Sequence, residues 1–360
     1  MSDRITHPKL LATGMAVALV IAACGGSAGT GSQPAATTRP AASAAAGELP
    51  KPELTKVRIG ISTPNEPVQF AAKLADSLGI FQKYGLTAEV TGFEGDGKAL
   101  QALVAGQLDY FVGGASATLN SVVTDTPLKV IAMNSTTLTD GLWCTSSIKT
   151  AAEVKGKAIA ISTFGGTSHG ASLLLLQGIG LGPKDAVITQ VGNQGTRIAA
   201  LKGGSVGCGV VDMSQEKAMR DLGLNLLLDL SKAKLQWGRS GTQTTVANLA
   251  KYPNTTLVVV AATLEAQNSI WKDPATAAAK FAEFAQIKPE AARALIDDFQ
   301  KYGSRSMTFT EDAFKAPREV MGGQNPAIAN VDVTKAFDLS FLKKLQEIGF
   351  YTKIGAPTTN

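Results

Sequence analysis

Two hydroxyl-bearing triplets, Ile61-Ser62-Thr63 and Ile161-Ser162-Thr163, lie 100 residues apart. Each closes an alternating apolar run, Val57-Arg58-Ile59-Gly60-Ile61 or Lys157-Ala158-Ile159-Ala160-Ile161, and each leads into a small or polar loop. Hydroxyls beside free backbone N–H groups at a helix start form an anion site that needs no cationic side chain. Four strand ends offer this chemistry: Ser62, Thr63 and Asn65; Gly114, Ala115 and Ser116; Thr163, Gly165, Gly166, Thr167, Ser168 and His169; and Asp212 with Met213. Gly165-Gly166 lets backbone approach a ligand closely, and Asp212 would take an ammonium or N–H group. Each also has a plainer reading. Ser or Thr before a helix is an N-cap, worth about 1 kcal/mol for stability alone. Asp212 can cap the helix after it, and His169 can simply sit on a first helical turn. Trp143, Phe164 and Trp237 would wall the pocket or pack in a core. No Arg or Lys occupies these loops, so a charged ligand is expected to rely on N–H groups and hydroxyls.

Other chemistries find little support. Asp212 with His169 is the one acid/base pair on offer, and His7 is the only other histidine. No Cys/His cluster has metal-ligand spacing, and no cofactor is called for. The formal charge of +5 is mild, and no Lys/Arg run resembles a nucleic-acid footprint.

The elements that must position these groups repeat. Gly97 to Tyr110 lines up with Gly195 to Cys208 at an offset of 98. Strands alternate with helical patterns in both halves, predicting an α/β chain of two similar lobes with mainly parallel sheets. Such sheets bind ligands beyond the carboxyl ends of their strands. A strand is expected at Thr244 to Ala247. Helices are expected at Thr255–Trp271, Pro274–Ala285, Pro289–Lys301, Glu311–Met321 and Val333–Ile348, with no counterpart in the repeat.

The first residues read as export signals. Arg4, His7 and Lys9 precede an apolar stretch from Leu10 to Ala23, too short to span a membrane. It ends Ile21-Ala22-Ala23-Cys24-Gly25, which resembles a bacterial lipobox with Cys24 as the lipidated residue. Acyl chains there would hold the protein on a membrane. Residues 24–54, rich in Gly, Ser, Ala, Thr and Pro, read as a flexible tether. Cys144 and Cys208 remain. They are read as buried, unpaired residues on strands, with pairing as the alternative.

Gly79-Ile80-Phe81 through Tyr84-Gly85-Leu86, the Ala102–Asp109 segment, Gly166-Thr167-Ser168-His169 and Ala336–Leu342 resemble ABC-transporter substrate-binding proteins. The branch is the nitrate, sulfonate, taurine and thiamine-precursor group, of periplasmic-binding-protein type 2 fold. The resemblance implies a ligand cleft between lobes joined by two crossover strands, near Asp140–Thr145 and Gly241–Ala247. Lobe 1 would comprise 55–143 plus 245–360, and lobe 2 144–244. It implies an exported, membrane-anchored monomer, a periplasmic or outer-face lipoprotein. This would capture a small anionic or zwitterionic solute (a sulfonate, nitrate or carboxylate) and deliver it to an ABC permease in the membrane, without catalysis. A same-fold enzyme of a cofactor-precursor pathway and a ligand-sensing surface lipoprotein are the alternatives. The ligand's most anionic end is expected at Gly165–Ser168 in lobe 2, with Ser62 and the rest of lobe 1 closing over the remainder.

Overall fold

The order of strands in space shows why the sequence repeats. A computed structural model of the chain describes residues 47–124 and 127–359. The apolar leader, Cys24 and most of the expected tether lie outside the described residues. One five-stranded sheet contains β1 (Lys56–Ile61), β2 (Thr87–Gly92), β3 (Tyr110–Gly113), β4 (Leu128–Thr137) and, far along the chain, β10 (Gln236–Thr245). The other contains β5 (Asp140–Cys144), β6 (Ala158–Ile161), β7 (Val187–Gln190), β8 (Cys208–Asp212) and β9 (Asn225–Asp229). Their orders, β2-β1-β3-β10-β4 and β7-β6-β8-β5-β9, are the same arrangement used twice.

The expectation of mainly parallel sheets needs correcting. β1 pairs with β2 and β3, and β6 with β7 and β8, in parallel; β10 and β5 pair antiparallel with both of their neighbours. The reason is topological. These two strands are the ones that cross between lobes, so each enters its sheet against the direction of the βα units. The first crossing occupies Leu138 and Thr139, between β4 and β5. The second follows β9, and all of β10 already belongs to the first sheet. The lobe 1 segment expected from 245 therefore starts at Gln236. The polar run Gln236-Trp237-Gly238-Arg239-Ser240-Gly241-Thr242-Gln243 carries no apolar alternation, yet it is buried from Trp237 on by neighbours on both sides.

Apolar spacing was a sound guide to the C-terminal helices. Pro253–Lys272 is one helix buried against the first sheet, through Leu257, Val260, Ala261 and Leu264 among others. The expected strand at Thr244 to Ala247 instead ends at Thr245, which caps a short helix by accepting from Asn248 N. The helix expected over Val333–Ile348 is broken. Phe337 is extended and bridges Val130, Asp338 N donates to Val130 O, and Asp338 Oδ1 then caps the next helix at Ser340 N.

Residues 47–54, expected to be tether, pack on the first lobe. Glu53 accepts from Asn254 N (2.9 Å) and Thr255 N (2.6 Å) at the start of Pro253–Lys272, and Leu49 and Leu54 pack against the core. An acidic side chain on free N–H groups at a helix start is favourable by charge and by hydrogen bonding.

Cys144 and Cys208 form a disulfide, against the unpaired reading. β5 and β8 place them directly opposite each other, and both are fully buried. The Cys144→Ala/Cys208→Ala double variant should lose about 2–4 kcal/mol of stability. Urea unfolding of the two proteins reads this directly, and an unchanged midpoint would show that strand pairing alone suffices.

Candidate functional site

The carboxyl ends of β1, β3, β6 and β8 meet between the sheets. Ser62, Thr63, Glu66, Gln69, Asp96 and Gly114 from the first lobe face Ser162, Thr167, Ser168 and Arg197 from the second. Asp140 and Arg239, on the crossing strands, close the ring. They enclose about 20 Å³, little more than one water requires.

Of the residues singled out from sequence, Ser62, Thr63, Gly114, Thr167 and Ser168 line this space. The two triplets are supported alike. Ser62 Oγ and Thr63 N both donate to Gln69 Oε1 (3.0 Å each), while Ser162 N donates to Ser168 Oγ (2.8 Å). Thr163 Oγ1 accepts from Gly97 N at 3.1 Å, tying the lobes together just outside the cavity. Gly165 and Gly166 form the turn behind it, and Ala115 and Ser116 begin the helix Ala115–Val122. Asn65 lies beside Gly195. His169 is turned away: its Nδ1 accepts from Gly165 N, and its ring meets Phe164 edge-on. Burial lowers its pKa. Met213 packs on Gly141. Trp143 and Trp237 are fully buried in the cores, while Phe164 is exposed.

The loop at Gly165–Ser168 does hold an anion, but an internal one. Asp96 Oδ2 accepts from Thr167 N and its Oδ1 from Gly114 N, both at 3.2 Å. One carboxylate thus joins the helix starts Ala115–Val122 in the first lobe and Thr167–Gly178 in the second. A Cβ on Gly166 would lie 2.6 Å from Asp96 Oδ2, so glycine there makes room for the carboxylate. Gly95, at φ +132°, turns the chain so that Asp96 opens its own helix. The expected seat for the ligand's anionic end is therefore taken by this side chain. The sequence held one clue, an acidic residue between two glycines, Gly95-Asp96-Gly97.

Two arginines escaped notice because they lie on a helix and on a crossing strand, not in the strand-end loops. Arg197 comes from the helix Gln194–Lys202 and Arg239 from β10; they are 2% and 5% exposed. Arg239 Nη2 reaches Asp212 Oδ2 (2.6 Å) and Glu66 Oε2 (3.1 Å), its Nε reaches Thr139 Oγ1 (3.2 Å), and Nη1 lies 3.8 Å from Asp140 Oδ2. Asp212 accepts further from Thr139 Oγ1 (2.5 Å) and from Ser214 N (2.9 Å), so it both caps and pairs. Arg197 Nη2 lies 3.7 Å from Glu66 Oε1.

Four carboxylates thus lie buried beside two guanidiniums. Burial raises Glu66 to about 7, although Arg239 and Arg197 pull the other way; Asp212 and Asp140 add to the rise. Burial likewise raises Asp140 despite Arg239. Burial alone would raise Asp212 too, but Arg239 and the bonds from Ser214 and Thr139 hold it below the usual carboxylate range. A carboxyl whose folded pKa lies above its unfolded one binds its proton more tightly in the fold, so it stabilises at low pH. For Glu66 that contribution should fade as pH rises from about 4.5 to about 7. Denaturation across this window should show wild type losing stability relative to Glu66→Gln, which cannot titrate there. Parallel curves would mean that folding leaves the titration of Glu66 unchanged.

A family model described as NMT1/THI5 like matches residues 69–292, more than half of the chain. No curated protein matches the chain in sequence. Several solved structures share its fold. The periplasmic nitrate-binding protein NrtA of Synechocystis PCC 6803 is 16% identical, with a TM-score of 0.68, covering 86% of this chain and 93% of that one. The alkanesulfonate-binding protein SsuA of Xanthomonas axonopodis pv. citri, bound to MOPS, is 18% identical with a TM-score of 0.63, covering 77% and 94%. The desulfurization enzyme DSZB is 14% identical with a TM-score of 0.59, covering 82% and 99%.

Proposed function

The chain belongs to the NMT1/THI5-like family, and on that premise we propose that it is the solute-binding component of an ABC importer. It captures a small anionic or zwitterionic solute between its lobes and hands it to a membrane permease. One observation carries this reading: a buried, charged site to which both lobes and the strands that join them all contribute side chains. A ligand held there touches both lobes, so it favours closure by its differential affinity for the closed form. Nitrate and alkanesulfonate binding by two proteins of this fold supports the reading.

Lipidation at Cys24 is part of the proposal, since the importer reading needs the protein held near its permease. Among the described residues no helix is long and apolar enough to cross a membrane.

DSZB shows that this fold also carries catalysis. The acid/base pair that an enzyme would use is not assembled here: Asp212 is engaged by Arg239 and Thr139, while His169 faces Phe164. We read the protein as a binder on its likeness to the nitrate- and alkanesulfonate-binding proteins.

Thermal unfolding against nitrate, short sulfonates, carboxylates and amino acids tests this. At 100-fold excess over its Kd a true ligand adds about 2.7 kcal/mol, a rise of several degrees. No rise with any small solute would refute the binding role, and consumption of a ligand during the measurement would restore the enzyme.

A further inference from the structure

Hydrogen bonds between the lobes gather on one short stretch of the first. Glu94 Oε2 accepts from Asn193 Nδ2 (2.7 Å), Asp96 Oδ2 accepts from Thr167 N (3.2 Å), and Gly97 N donates to Thr163 Oγ1 (3.1 Å). All three partners belong to the second lobe. Asn193 caps the helix Gln194–Lys202, Thr167 opens the helix Thr167–Gly178, and Thr163 follows β6. Residues 94–97 thus reach across the cleft as a finger.

The tip of the finger fits its seat closely. Asp96 is 5% exposed, and its other oxygen accepts from Gly114 N. Cβ atoms on Gly113, Gly114 and Gly166 would lie 2.5, 3.0 and 2.6 Å from its oxygens. Glycines from both lobes therefore leave a space of carboxylate size. Arg197 lines the same cavity at 2% exposed, and its Nε and Nη1 have no hydrogen-bond partner among the described residues. Two helix starts beside a guanidinium make a seat for an oxyanion. The oxyanion in it is the protein's own.

A buried carboxylate needs partners, and half of those of Asp96 come from the facing lobe. Closing the lobes completes it without any solute. The enclosed space of about 20 Å³ agrees, because the cleft is filled by its own side chains. Gly95, at φ +132°, and Gly97 flank Asp96, so its chain neighbours carry no side chain to hinder the carboxylate from swinging out.

We propose that residues 94–97 are an internal ligand: the finger closes the lobes when no solute is present, and a solute enters only as Asp96 withdraws. The first half goes beyond the solute-binding reading, and the second rests on it. Closed, empty protein weakens apparent affinity, which falls by the fraction of molecules whose seat is free.

Spin-label distances on the full chain, with one label on each lobe and no solute added, test this. Wild type should show mainly the short distance of the closed form. Asp96→Ala removes the carboxylate, and its balance should move about 10- to 100-fold toward open. Formate carries the missing carboxylate and should restore the short distance in Asp96→Ala. It should leave wild type and Asp96→Asn unmoved, because a side chain still fills their seats. A long distance in solute-free wild type, no closure of Asp96→Ala by formate, or an equal response of all three proteins would each overturn the inference. If Asp96→Ala does not unfold cooperatively, Thr163→Val takes its place. Losing the acceptor for Gly97 N should lengthen the distance, and an unchanged distance would overturn the inference. None of these readings needs a solute. Failure here leaves the solute-binding reading standing, and failure to find a solute leaves the finger standing.

Discussion

Replacing Arg239 by methionine should destabilise the protein by about 3–5 kcal/mol, the cost of stranding buried carboxylates without their cation. Three acids lean on this one side chain: Asp212 at 2.6 Å, Glu66 at 3.1 Å and Asp140 at 3.8 Å. Asp212 alone is held below the usual carboxylate range, and Arg239 is the main force opposing its burial. Without the guanidinium, Asp212 must take up a proton or draw in water. The loss should therefore grow with pH, because a charged Asp212 is the costly species. Adding Asp212→Asn to the methionine variant should recover part of the stability, since the stranded charge is gone. Urea unfolding of the four proteins in this cycle gives the coupling directly. A single-variant loss under about 1 kcal/mol would mean that the network is solvated and weak.

The second large effect belongs to Asp96. Its carboxylate is bonded to helix starts in both lobes, at Gly114 N and Thr167 N. Asparagine keeps the shape but presents an amide NH₂ to one of the two donors. Each bond to a charged group is worth about 1.5–3 kcal/mol. Losing one should shift the balance between closed and open lobes about 10- to 100-fold toward open. Small-angle scattering, or a spin-label pair placed across the lobes, reads this as a longer interlobe distance in Asp96→Asn. Identical distances in variant and wild type would show that Asn193–Glu94 and the other interlobe bonds suffice.

Much of the scaffold was legible. Alternating runs such as Val57–Ile61 and Lys157–Ile161 are strands because burial on a pleated sheet selects that pattern, and the 100-residue echo is a true repeat of strand order. Two features hid. β10 is polar, and only its neighbours in space bury it; no local pattern announces that. The charged ring hid for a related reason. Loop glycines and hydroxyls advertise a ligand edge, whereas Arg197 sits on a helix flank and Arg239 mid-strand, and burial of each is decided by the facing lobe. Asp96 was passed over for the opposite reason: its place between glycines looks like a turn, not an occupant of someone else's helix start. Cys144 and Cys208 would have been paired on sight had the β5–β8 register been known.

The interleaved strands also set an order of events as the chain first folds. β5 through β9 are contiguous in sequence, so every strand of the second sheet lies within the span Asp140–Asp229. The first sheet cannot be finished that way. β10 must find β3 and β4 across a long gap, with Gln236 opposite Thr137 in the ladder. Closing so long a loop costs entropy before any contact rewards it. The second sheet removes that cost, because its first and last strands are neighbours, with Gly141 opposite Asp229. Once formed, it holds the emerging ends of β4 and β10 side by side. The second lobe is in this sense a clasp whose assembly delivers the missing strand to the first, and lesions in β5 or β9 should slow maturation of a sheet with which neither strand pairs.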